Sequence, residues 1–120
     1  MTATRSYRGS CHCGAVRFRF RSEPITTGCR CNCSICVRKS AVMSSRYIAP
    51  EEFEELIGAE TLRVYRFGDA VVNHYFCGVC GIYPFHDFTG KPGHYRVNLG
   101  CLEDVDPLSL QIQLLDGRSF

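Results

Sequence analysis

The sequence predicts a mainly β fold: one small domain spanning 1–120, made of short antiparallel strands with one short helix and stapled by metal. Three observations predict it. Ala15 to Arg21 alternates apolar and charged residues with a period of two, glycine-bearing turns separate short apolar runs, and nine cysteines in 120 residues fall mostly into clusters. A period of two is the signature of a strand with one face in a core. A small β domain gains much from cross-links, because its own core contributes little.

The first strand is Ala15–Arg21, with Val16, Phe18 and Phe20 on one face and Arg17, Arg19 and Arg21 on the other. Further strands are predicted at Ser44–Ile48, Leu62–Phe67, Val71–Phe76, Ile82–Phe88, Tyr95–Leu99 and Leu108–Leu114. Gly68-Asp69 reads as a tight turn and Gly90-Lys91-Pro92-Gly93 as a longer one. The one helix is predicted from Pro50 to a cap at Gly58. Pro50 suits the first helical position, Glu51 and Glu52 suit the positive end of the dipole, and Phe53, Leu56 and Ile57 follow i, i+3, i+4.

Composition excludes several classes. Apolar residues make up 45% of the chain, which argues against bulk disorder, and no apolar run approaches the ~20 residues of a membrane span. A formal charge of +2, scattered along the chain, gives no basic stripe for nucleic acid. The opening residues carry no apolar secretory core, and an odd number of cysteines would strand one thiol in a disulfide framework. A cytoplasmic protein that binds metal through its cysteines is the expectation.

Three clusters carry the chemistry: Cys11-His12-Cys13-Gly14, then Cys29-Arg30-Cys31-Asn32-Cys33-Ser34-Ile35-Cys36, then Cys77-Gly78-Val79-Cys80-Gly81. Zinc takes four ligands in a tetrahedron, and short Cys spacings on a turn bring two sulfurs to one ion. The third cluster has the form of a zinc knuckle and needs a partner pair. Cys11 and Cys13 are its natural complement, giving a closed structural site with Cys77 and Cys80.

Cys31, Cys33 and Cys36 then have no remote pair left. Three protein ligands with an open fourth position is the arrangement of catalytic zinc. Cys29 is the alternative fourth ligand, and it would close the site. Cys29, Cys31 and Cys33 on an extended segment would stand about 6.6 Å apart, so the chain must curl for any two to share a metal. The Cys33–Cys36 spacing and Ser34 favour a turn on that side, which leaves Cys29 outside. Cys101 is isolated and reads as a buried thiol.

With these residues in place, the sequence resembles the glutathione-dependent formaldehyde-activating family. The resemblance runs from Gly9-Ser-Cys-His-Cys-Gly-Ala-Val-Arg-Phe, through Cys31-Asn-Cys-Ser-Ile-Cys-Val-Arg-Lys, to Phe76-Cys-Gly-Val-Cys-Gly, and takes in Val97-Asn98-Leu99-Gly100. It implies a β-tent fold with two zinc ions, one structural at Cys11, Cys13, Cys77 and Cys80 and one catalytic at Cys31, Cys33 and Cys36. It also implies a carbon–sulfur lyase activity, the condensation of glutathione with formaldehyde to S-hydroxymethylglutathione. Relatives under the same family label include centromere protein V of animals. Two departures concern the substrate: Asn32 stands where the family loop often has His, and Cys29 is an added thiol.

A thiol such as glutathione and a small aldehyde are therefore the expected partners. Arg30, Arg38, Lys39 and Arg46 are candidates to meet glutathione's carboxylates, and His86 is a candidate proton carrier. His12, His74 and His94 are spare candidate ligands. The rival reading is a non-enzymatic zinc domain that binds a protein or nucleic acid. A redox or metal-sensing role for Cys29 and Cys101 is a third.

Overall fold

The computed structural model describes residues 4–119. Ten strands form three small sheets. The first is β1 (Arg5–Ser10), β2 (Arg17–Ser22) and β5 (Phe53–Ile57), in that order. The second places β3 (Thr27–Cys31) between β4 (Met43–Ser44) and β10 (Gln111–Leu115). The third is a meander of β6 (Leu62–Tyr65), β7 (Val72–Cys77), β8 (Phe85–Phe88) and β9 (Lys91–Val97). The fold is mainly β, as the sequence predicts, and the Gly68-Asp69 turn joins β6 to β7.

The alternation of β2 does what it implies. Phe18 and Phe20 are buried, and Val16 is buried just before the strand, while Arg17 and Arg21 are exposed. These rings meet Tyr7, Ile48, Phe85, Val97, Leu99 and Leu102 in the main core. Isolated bridges Gly9–Leu102, Met43–Asn98 and Ile48–Tyr95 tie β1, β4 and β9 to segments outside the strands. No helix among the described residues is long and apolar enough to cross a membrane.

The predicted helix from Pro50 to Gly58 is not helical. Pro50–Glu52 is a single 3-10 turn, and Phe53–Ile57 is strand β5. The reason is a bulge. Phe18 pairs with Leu56 and Phe20 with Phe53, so Glu54 is the extra residue on the β5 side. The extra residue puts Phe53 and Leu56 on the same face although they are three apart, which imitates a helical stripe. Gly58 is needed for a different purpose from capping. It has φ +83°, and a side chain there would collide with the Ala15 carbonyl.

The one α-helix is instead α1 (Ser34–Lys39), directly after Cys33. Strand pairing is antiparallel except for β10, which runs parallel to β3 from Gln111–Thr27 to Leu115–Cys31. That exception matters, because it carries the C-terminal segment to the middle cysteine cluster. Ser44–Ile48 is also not a continuous strand. The chain bends after β4, and Ile48 then bridges to Tyr95 on β9 of the third sheet.

Candidate functional site

Two groups of sulfur atoms gather in the fold. The first comprises Cys11, Cys13, Cys77 and Cys80, whose Sγ atoms all lie within 4.8 Å of one another. Two turns of matching construction present them. Cys11 N–H donates to Val16 C=O at 3.0 Å and Cys77 N–H to Ile82 C=O at 2.9 Å, each closing a turn around its cysteine pair. In each turn a glycine with left-handed φ follows the second cysteine, Gly14 at +81° and Gly81 at +80°. Glycine adopts this φ without the penalty a Cβ imposes.

The donor set fits a tetrahedral metal. Cys11–Cys13 and Cys13–Cys77 Sγ distances are 3.6 and 3.7 Å, against about 3.8 Å between sulfurs on a tetrahedron with ~2.3 Å zinc–sulfur bonds. Backbone amides face the sulfurs, as thiolates require: Val16 N–H to Cys11 at 3.3 Å, and Val79 and Cys80 N–H to Cys77 at 3.4 and 3.5 Å. Backbone N–H groups of Cys13 and Ile82 pull the Cys80 thiol down to about 6. Cys11 and Cys77 are buried beside Val16, so the group also closes a small satellite core.

The second group is Cys31, Cys33 and Cys36, again within 4.8 Å of one another and each half-buried. Cys31 ends β3, Cys33 caps the start of α1, and Cys36 lies in its first turn. Cys33 N–H points at Cys31 Sγ at 3.4 Å. Among the described residues, no fourth Cys, His, Asp or Glu joins this group. Cys29 sits two residues back on β3, buried, with its thiol turned to the Ser44 carbonyl at 3.5 Å. Cys101 is half-buried beside the main core.

A recess of about 270 Å³ opens against this second group, walled by Cys31 and Cys36, by Val37, Leu114 and Leu115, and by Arg30 and Asp116 at its rim. The C-terminal turn closes one side. Asn32 Nδ2 donates to Asp116 Oδ1, and Asn32 Oδ1 accepts from Arg118 N–H, both at 2.9 Å. Gly117 lies so close that a methyl group there would overlap Cys31 Sγ.

The basic residues near the loop divide. Arg30 lines the recess and donates to Ser40 Oγ. Arg38 donates back to the Ser34 carbonyl at 2.8 Å. Arg46 is occupied elsewhere, paired through both guanidinium nitrogens with Glu52 at 2.9 and 2.8 Å. Lys39 turns inward, its Nζ 3.8 Å from the centre of the Tyr83 ring. Burial pushes its ammonium down, while Cys36, Cys33 and Cys29 push it up.

Behind α1 lies a polar aromatic layer that sequence reasoning did not assemble. Tyr83 OH meets His74 Nδ1 at 2.6 Å, Tyr47 OH meets His86 Nε2 at 3.0 Å, and the Arg96 guanidinium covers the Tyr47 ring at 4.5 Å. Register brings the histidines together, since His74 on β7 pairs with His86 on β8. Burial holds His86 at about 3 and His74 at about 4. Burial thus favours the neutral imidazole of both, each with one ring nitrogen protonated and the other free to accept. The available signal was Asn73-His74 and His86-Asp87, polar pairs interrupting apolar strands. His12 is exposed, and His94 flanks a separate recess with Tyr47 and Phe88.

The model of the family described as glutathione-dependent formaldehyde-activating enzyme matches residues 6–115. A crystal structure of a Rhodobacter sphaeroides protein superposes with a TM-score of 0.75 and 33% sequence identity, covering 88% of this chain and 99% of that one.

Proposed function

The chain belongs to the glutathione-dependent formaldehyde-activating family, and from that premise we propose that it is a zinc-dependent carbon–sulfur lyase. It joins a thiol, glutathione or a similar one, to formaldehyde or another small aldehyde. The observation that carries the reading is the three-sulfur group Cys31, Cys33 and Cys36, with the nearby Cys29 thiol turned away to Ser44. Cys11, Cys13, Cys77 and Cys80 hold a structural zinc in this reading, because four sulfurs complete a tetrahedron. Nine cysteines, most of them gathered in metal-type clusters, suit a cytoplasmic setting in this reading.

Cys31, Cys33 and Cys36 would hold a zinc ion, which would supply Lewis acidity to a substrate thiol whose free pKa is ~8.5. The chain's residues do the rest. Cys33 N–H orients Cys31, and the recess beside Cys31 and Cys36 receives the substrate's body, with Arg30 at the rim to meet a carboxylate. The reaction is an addition without redox change. A sulfur–carbon bond forms, the carbonyl π pair moves to oxygen, and the proton given up by the thiol ends on that oxygen.

The test is zinc content with and without Cys29→Ala, followed by glutathione titration watched by X-ray absorption. Two zincs per chain, unchanged by the substitution, with a fourth sulfur added by glutathione, support the reading. Loss of the second zinc on substitution, with no response to thiol, replaces it with a closed site and a binding module.

A further inference from the structure

Three buried polar atoms in the layer behind the second cluster have no hydrogen-bond partner among the described residues: Lys39 Nζ, Arg96 Nε and His86 Nδ1. Buried polar groups are nearly always satisfied, so an orphaned set in one layer needs a cause. Lys39 is the sharpest case. Ion pairs among the described residues engage Arg5, Arg19 and Arg46, and none reaches Lys39. The Tyr83 ring face is a poor substitute for a carboxylate.

The groups facing this ammonium can be named from each element. From β9 comes Arg96, a second cation; from β7 and β8 come His74 and His86; and Tyr83 presents its ring. The groups whose negative charge would favour this ammonium are sulfurs: Cys36 on its own helix, Cys33 at the cap and Cys29 on β3. Among these groups, only the sulfurs can supply a negative charge near neutral pH. Lys39 stands three residues after Cys36, so both project from one face of α1.

The charge balance is specific. Three thiolates around a divalent ion leave one net negative charge, and a fourth thiolate leaves two. Lys39 supplies one positive charge, which matches the three-thiolate form. We infer that Lys39 is the counter-cation of the Cys31–Cys33–Cys36 site, a positioning residue that favours its metal-loaded, thiolate-rich form. The inference rests on the zinc assignment in the proposed function and not on the reaction.

The test measures competition between the second site and a chromophoric chelator for zinc, with the first site as internal reference. Lys39→Met is expected to weaken the second site roughly 10- to 100-fold, the usual effect of losing an outer partner, while Lys39→Arg recovers most of it. In a Cys36→Ser background, which lacks the second site, Lys39→Met is expected to leave the melting temperature unchanged or raise it. A mere packing role would lower it in both backgrounds. Unchanged zinc affinity in Lys39→Met, Lys39→Arg as weak as Lys39→Met, or equal weakening at both sites would overturn the inference. A wild-type second cluster that takes no zinc would defeat the parent reading along with it. Zinc bound and Lys39-dependent, without thiol–aldehyde turnover, would defeat only the proposed reaction.

Discussion

Asn32 and Asp116, 84 residues apart in sequence, are joined by a 2.9 Å hydrogen bond beside the second sulfur group. Asn32 also accepts from Arg118 N–H and donates its own N–H to Leu115 C=O. One loop residue thus fastens the C-terminal turn, and the turn brings Gly117 against Cys31.

Two substitutions follow from this clasp. Asn32→Ala is expected to raise amide exchange over 116–119 while costing only about 1 kcal/mol globally, since the lost bonds are exposed. Gly117→Ala is expected to displace Cys31 and weaken zinc at the second site without affecting the first. Equal zinc retention by Gly117→Ala and wild type would contradict the close approach.

Cys80→Ser should act on the whole fold. Its cluster ties the β1–β2 connection to the end of β7, so on the proposed zinc assignment loss of the ion there would remove folding free energy directly. A melting temperature lowered by roughly 10 °C or more is expected, from ~3 kcal/mol at a few degrees per kcal/mol. Calorimetry of the zinc-loaded proteins decides it, and a shift under 2–3 °C by the same scale would count against a structural role.

Acid stability should report the buried histidines. Their folded pKa values, about 3 for His86 and about 4 for His74, lie below the ordinary ~6.5. The unfolded chain therefore binds more protons in that window, and stability rises with pH. The contribution is full above pH ~6.5 and is lost as pH falls toward 4 and then 3, by up to ~1.4 kcal/mol per pH unit for each histidine. Urea unfolding at pH 7, 6 and 5 should show a shallower slope for His86→Gln than for wild type. Comparing the two proteins separates this effect from acid release of metal. Parallel slopes would mean that His86 charges freely in the folded state.

Phe18→Ala should cost about 3–5 kcal/mol by denaturant unfolding. The ring is 2% exposed and meets Phe20, Phe53 and Phe85 at centroid distances of 6.4, 5.9 and 5.5 Å. A cost below ~1 kcal/mol would mean that the neighbouring rings collapse into the space.

How legible each part was depends on how far its cause extends along the chain. The β2 alternation and the Gly68-Asp69 turn are local patterns, and each appears where the sequence puts it. The helix drawn over Pro50–Gly58 failed because a bulged strand and a short helix share the same spacing of apolar residues over five positions. Strand β3 was hidden because its residues, Thr27-Gly-Cys-Arg-Cys, carry no apolar alternation. It forms because β4 and β10 supply partners on both sides.

The sequence by itself determined that cysteines dominate this protein. Clusters two and three residues apart need only a turn to bring their sulfurs together, and turns are written in neighbouring glycines and serines. The tertiary structure alone decided which distant groups surround them. Parallel pairing of β10 with β3 delivers Gly117 to Cys31, the β7–β8 register sets His74 beside His86, and the inward face of α1 sends Lys39 among sulfurs and rings. Such meetings depend on strand register and helix orientation, which are fixed by burial of the whole core and leave no short-range mark in the chain.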